Sequence, residues 1–213
     1  GNSGIFFYVD HQRETKMLDL TPVISYLNTV SPLLIWFALF LFCYFTIILT
    51  FKFAGKYGLY TYIITAVIVG NLQVLKLVKF SIFPDPIALG TIVFTSTFLC
   101  TDILYEFYGK AAAKRGVMLG FVGYFLFTFF MFFAVAFQPL TSAAPDLAWG
   151  IENHGHMLAL FLPAPAFFVS GMIAYLISQY LDILVYDTLN KKTKGTKLWL
   201  RNNVATIIAC FVD

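Results

Sequence analysis

From Pro32 to Phe51 the chain runs for twenty residues without one charged side chain. A helix of that length, rising 1.5 Å per residue, covers the roughly 30 Å hydrocarbon core of a bilayer. Similar stretches follow at Tyr57–Leu75, Pro86–Tyr105, Gly116–Phe137 and from Pro163 to about Tyr186, the last entered by Pro163 and Pro165, which suit a helix start. A sixth begins near Trp199 and is still running about 15 residues later at Asp213, so a further C-terminal helix is expected beyond it. The sequence therefore predicts an all-α, polytopic transmembrane helix bundle of about six spans. Residues 1–31 are expected to form an extracytoplasmic N-terminal segment and residues 32–213 the transmembrane domain.

Composition excludes the soluble alternatives. Hydrophobic residues make up 60% of the chain and charged residues 12%, about half the charged share of a soluble domain. With 25 Phe and 12 Tyr in 213 residues, the aromatic content exceeds what one soluble core would hold. A net charge of +3 is too small for a nucleic-acid binder. Cys43, Cys100 and Cys210 lie in apolar runs without paired spacing, so buried thiols are expected, and neither disulfide, metal nor cofactor is implied. The first apolar run ends in Phe51-Lys52-Phe53, without the small-residue site of a cleaved signal peptide.

Lys and Arg set the predicted orientation. Lys52, Lys56, Lys110, Lys114, Arg115, Lys191, Lys192, Lys194, Lys197 and Arg201 fall on one side, against Arg13, Lys16, Lys76 and Lys79 on the other. Ten against four places the N-terminus outside and the three basic loops in the cytoplasm. Residues 141–156, with Pro145, Asp146, Glu152, His154 and His156, are then an external loop. Gly116 and Gly120 have the small-xxx-small spacing that lets helices approach closely, within the bundle or across a homodimer. The uncharged, Phe-rich first span reads as a peripheral helix facing lipid.

Polar side chains at membrane depth are expensive, which makes each a functional candidate. Asn71 can offer two donors and one acceptor to the edge of a planar ligand, or simply bond a neighbouring helix. Lys76, late in its span, reaches a ligand or snorkels to the outer interface. Asp102 and Glu106 are four residues apart and share a helical face. Counted from Pro86, Asp102 lies about 24 Å along its helix. It is open to three roles there: binding a ligand N–H, carrying a proton, or pairing with Arg201 or a lysine. Gln179 and Asp182 share a face of the fifth span, while Asp187 reads as interfacial and solvated. On the sixth span Arg201 supplies a fixed guanidinium fork, and Asn202, Thr206 and Asp213 return to one stripe. Four polar stripes on four apolar spans imply one shared internal cavity, a transporter-like pattern. The common catalytic motifs are absent: there is no HExxH, GxSxG, P-loop or GxGxxG.

Several stretches carry a resemblance. Asn71-Leu-Gln-Val-Leu-Lys76, Gly90-Thr-Ile-Val-Phe94, Thr101-Asp-Ile-Leu-Tyr-Glu-Phe-Tyr-Gly-Lys110, Ser178-Gln-Tyr-Leu-Asp182 and Leu198-Trp-Leu-Arg-Asn-Asn203 together resemble the queuosine precursor transporter family, also called the vitamin uptake transporter (VUT) family. The resemblance runs from about residue 60 to the end. It implies uptake of a 7-deazaguanine such as preQ0, preQ1 or queuine, salvaged for tRNA modification. It also implies a fold like the membrane substrate-binding subunits of energy-coupling-factor transporters, in the plasma (inner) membrane of a prokaryote. The positions it carries over as substrate-binding are Asn71, Lys76, Asp102, Glu106, Gln179, Asp182, Arg201, Asn202 and Asp213. The expected partners are a small heterocycle and the lipid bilayer. Two other functional classes stay open: a binding subunit that works with an ATPase, and an intramembrane enzyme.

Overall fold

The computed structural model describes residues 20–141, 147–161 and 164–212; Arg13, Lys16, Pro145, Asp146, Pro163 and Asp213 lie outside them. Helix α1 (Thr21–Thr29) is short and buries no side chain. Helix α2 (Pro32–Gln73) follows, then strands β1 (Leu77–Val78) and β2 (Ile87–Ala88), α3 (Thr91–Tyr108), α4 (Lys110–Ala136), α5 (Ala148–Phe161), α6 (Ala164–Lys192) and α7 (Leu198–Val212). The architecture is all-α apart from one short antiparallel hairpin, in which Leu77 opposes Ala88 and Val78 opposes Ile87. Among the described residues three helices, Pro32–Gln73, Lys110–Ala136 and Val169–Lys192, are long and apolar enough to cross a membrane.

Helix α2 is two limbs rather than one rod. Gly55 breaks it with φ 54° and ψ −132°, a left-handed conformation that strains any L-residue with a Cβ. The limbs fold back on each other so closely that a Cβ at Gly58 would collide with the Thr50 carbonyl. The fold-back also returns Trp36 to the far end of the helix, where its ring meets Phe80 at 6.2 Å. The predicted first and second spans are these limbs. On the first, only Cys43 and Ile47 are buried, while Phe42 and Phe45 stand exposed. Together with exposed Phe130, Phe132 and Phe133 on α4, they form an apolar coat far larger than a water-soluble monomer carries. This is a membrane protein.

The core lies where the second limb of α2 meets α3 and α4. Ile47, Leu59, Ile63, Val67, Cys100, Leu104 and Val117 are fully buried there. Hydrophobicity does not drive helices together in lipid, so close contact between small residues does more of the work. Gly116 faces Leu104 and Ile63, Gly120 faces Tyr175 and Ile63, and Gly123 faces Ile64. The small-residue stripe is thus used inside the bundle. Ala205 and Ala209 are likewise buried, on α7.

Four expectations need correction. The third span begins at Thr91 rather than Pro86, because residues 87–88 pair as a strand and Gly90, at φ 98°, starts the helix. Asp102 is therefore about 16 Å along α3, not 24. The segment read as an external loop over 141–156 contains most of α5, whose Trp149, Ile151 and Leu160 are exposed apolar groups. The fifth span continues to Lys192, so Asp187 is helical and buried rather than solvated. Cys43 and Cys100 are buried, but Cys210 is exposed.

Candidate functional site

The polar face of α3 repeats every fourth residue or so: Thr97, Thr101, Asp102 and Glu106. Facing it, α6 contributes Gln179, Asp182 and Tyr186, spaced three and four apart, with Asn190 one turn further. Helix α7 closes the third side with Arg201, Asn202 and Thr206. Of these, Asp102, Gln179, Asp182 and Arg201 are all less than 5% exposed.

Two sub-networks organise the space. In the first, Gln179 Nε2 donates to Thr97 Oγ1 at 2.7 Å, and Thr101 Oγ1 donates to Gln179 Oε1 at 3.4 Å. This amide ties α6 to α3 with both its ends. In the second, Arg201 Nη2 donates to both Glu106 oxygens, at 3.2 and 3.3 Å, while Nη1 donates to Asn190 Oδ1. Tyr186 donates to Glu106 Oε2 at 2.9 Å and lays its ring 5.3 Å from the guanidinium carbon. Arg201 therefore pairs with Glu106, not Asp102. The one-turn offset between the two carboxylates decides which of them meets the guanidinium.

Between the sub-networks sit two carboxylates with spare acceptor capacity. Asp102 Oδ2 and Asp182 Oδ2 are buried and have no hydrogen-bond partner. Asp182 Oδ1 receives Thr206 at 3.5 Å, a weak contact. Asp102, Glu106, Phe107, Tyr186, Trp199 and Asn202 line a cavity of about 390 Å³. A second cavity, of about 480 Å³, opens at the other end of α3, where Asn71, Thr91, Phe94, Tyr124 and Phe127 line it. Both volumes fall in the range of about 300–1,000 Å³ usual for small-molecule sites. Phe94 packs edge-on against Tyr175 at 5.5 Å, and buried Phe98, Thr97 and Gln179 separate the two spaces.

The predicted single cavity is thus two. Of the predicted residues Asp102, Glu106 and Asn202 line the first, here called the inner one, while Gln179, Asp182 and Arg201 are buried in the helix contacts around it. Asn71 belongs to the other, where its Nδ2 donates to the Val67 carbonyl at 2.7 Å and its Oδ1 lies near Gly171. Lys76 joins neither: it is exposed in the turn after α2. Asp213 is outside the described residues. Sequence reasoning missed Thr97, Thr101, Tyr186 and Asn190; their spacing from Asp102 and Asp182 was the available signal. It also missed an ion cluster below the site, where Asp187 accepts Tyr105 at 2.5 Å, Lys110 at 2.7 Å and Lys191 at 2.9 Å. Among the described residues no three His, Cys, Asp or Glu side chains form a metal site.

Residues 88–213 match the family described as "Putative vitamin uptake transporter". The chain belongs to this family. All the inner-cavity residues fall inside the matched segment, whereas Asn71 and Lys76 precede it. A probable queuosine precursor transporter of Bacillus subtilis (strain 168) is 33% identical over 168 residues, covering 78% of this chain and 69% of that protein. No solved structure matches the chain. Membership places it among membrane transporters of the queuosine precursor family.

Proposed function

We propose that the protein takes up a queuosine precursor, a 7-deazaguanine, into the cytoplasm of a prokaryotic cell. It sits in the plasma membrane as a multi-pass protein with its N-terminus outside. The crossings are the two limbs of α2, then α3, α4, α6 and α7, six in all. The relative's name supplies the substrate class, and the inner cavity is suited to it. A guanine-type ring presents adjacent N–H donors and a carbonyl on one edge. Asp102 accepts from the donors, with Asp182 and Gln179 close by, and Asn202 serves the carbonyl. Tyr186, Trp199 and Phe107 give aromatic walls for the ring plane. Glu106 and Arg201 form the frame, and Asn71 belongs to the outer entrance.

The observation that carries this reading is the unpartnered Asp102 carboxylate on the wall of a membrane-depth cavity. A buried acceptor without a partner costs about 1–3 kcal/mol, which a ligand donor returns on binding. Purified full-length protein is expected to bind preQ0, preQ1 or queuine, and guanine more weakly. Asp102→Asn keeps shape but converts an acceptor into a donor, and is expected to weaken binding about 10- to 100-fold, since hydrogen bonds to charged groups contribute about 1.5–3 kcal/mol. Unchanged affinity in a folded Asp102→Asn protein refutes the site.

A further inference from the structure

The outer cavity differs from the inner one in its chemistry. Asp102 and Glu106 line the inner space, whereas none of the described residues around the outer one is charged. Its walls are rings: Phe94 comes from α3, Tyr124 and Phe127 from α4, and Phe161 from α5. Tyr124 and Phe127 lie nearly parallel, 18° apart with centroids at 6.4 Å, and Phe161 meets Phe127 edge-on at 6.0 Å.

One polar group is aimed into this space by its own bonding. Asn71 Nδ2 donates to the Val67 carbonyl at 2.7 Å. A carbonyl only accepts, so this bond fixes which end of the amide is the nitrogen. It leaves Oδ1 toward Gly171 on α6, where a Cβ would stand 3.6 Å from it. Asn71 and Gly171 both line the cavity, and the missing side chain of Gly171 keeps the space beside that oxygen open. The frame is closely held, since α2 and α3 touch at two glycines: a Cβ on Gly90 would come within 2.5 Å of the Gly70 carbonyl oxygen.

An uncharged slot with ring walls and one oriented acceptor suits a flat, neutral heteroaromatic ring. The aromatic side chains take its faces, and one ring N–H donates to Asn71 Oδ1. We propose that the outer cavity is a second binding site for the transported ring, in series with the one at Asp102, and that it holds the ring by its faces and one N–H rather than by charge. A ring lodged there has shed its water before it meets the carboxylates, with the Gln179–Thr97 layer between the two sites. The identity of the ring rests on the proposed function.

Equilibrium dialysis of radiolabelled preQ0 against purified full-length protein counts the rings bound per chain. Gly171→Leu fills the outer cavity, because its Cβ meets nothing nearer than Asn71 Oδ1 and the rest of the side chain grows into open space. The wild type is expected to bind two equivalents and Gly171→Leu one, while Asp102→Asn keeps the equivalent that Gly171→Leu loses. Asn71→Leu removes the acceptor and is expected to weaken the outer equivalent alone, about 3- to 10-fold, the worth of one neutral hydrogen bond. A single equivalent that Asp102→Asn weakens and neither Gly171→Leu nor Asn71→Leu touches overturns the inference and keeps the inner site. A single equivalent lost in Gly171→Leu and kept in Asp102→Asn upholds the outer site and overturns the inner one. If Gly171→Leu lacks a thermal transition, Asn71→Leu decides, and unchanged affinity at every equivalent overturns the inference. No binding by folded wild-type protein overturns both.

Discussion

Arg201 shows how much one side chain determines here. Its guanidinium is almost entirely buried, and its two terminal nitrogens and its face meet four neighbours from two other helices: the two Glu106 oxygens, Asn190 and the Tyr186 ring; Nε alone has no hydrogen-bond partner. Lysine keeps the charge but offers no planar fork and cannot hold Glu106 and Asn190 together. Arg201→Lys is expected to destabilise the protein by about 2 kcal/mol, the worth of one hydrogen bond to a charged group. Glu106→Gln is expected to cost less, because an amide oxygen still accepts from Nη2 and the Glu106 side chain is partly exposed. Thermal unfolding in detergent gives the order, and equal midpoints for the two variants refute this division of roles. At this scale the sequence is legible where a residue violates its surroundings. Asp102, Glu106, Gln179, Asp182, Arg201 and Asn202 stand out because charge and amide are costly in apolar runs. Thr97, Thr101 and Tyr186 do not, because helical hydroxyls ordinarily bond their own backbone, as Thr46, Thr61 and Thr65 do here. The depth of a partner is also invisible along one strip of sequence, which is why the sequence offers Arg201 to Asp102 and the structure gives it to Glu106.

Helices in this bundle are positioned by glycines of two different kinds. Gly120 on α4 is helical, and a Cβ there would come within 2.5 Å of the Tyr175 hydroxyl and 3.0 Å of Ile63. Gly109, between α3 and α4, has nothing within 4 Å but a φ of +81°. Gly109→Ala therefore meets backbone strain alone, about 1–3 kcal/mol, whereas Gly120→Val forces the α4–α6 contact apart. Overpacking of that kind costs about 1–3 kcal/mol and is expected to open the core. The measurement is fluorescence-detected size exclusion after heating, and Gly120→Val is expected to lose its monodisperse peak at the lower temperature. The reverse order refutes the packing argument. The Gly116/Gly120 spacing was readable in sequence because a period of four is local. The fold-back at Gly55 was readable only as a gap between two apolar runs. The late start of α3 was hidden, since residues 86–90 are apolar whether they pair as a strand or wind as a helix.

Across the whole molecule, α3 joins the two cavities. Thr91 lines the outer one and Phe107 the inner, sixteen residues apart, or about 24 Å, close to the thickness of the hydrocarbon core. Between them Gln179 bridges Thr97 and Thr101, and Phe94 leans on Tyr175. In the proposed topology a solute crossing the protein parts this layer, and the two cavities face opposite sides of the membrane. The basic segments gather at the inner end. The Gly55 break between Lys52 and Lys56 lies beside Tyr108, Lys110 bonds Asp187, and Arg201 bonds Glu106. With the positive-inside rule, the proposed topology puts this end in the cytoplasm. A Cys210→Ser background removes the exposed native thiol, leaving Cys43 and Cys100 buried. In that background Thr91→Cys is expected to react with a membrane-impermeant maleimide in intact cells, while Asn203→Cys, on the wall of the inner cavity, reacts only after permeabilisation. The opposite pattern inverts the topology. Labelling of both positions from one side rules out a layer that separates them, and with it any mechanism that opens one cavity at a time.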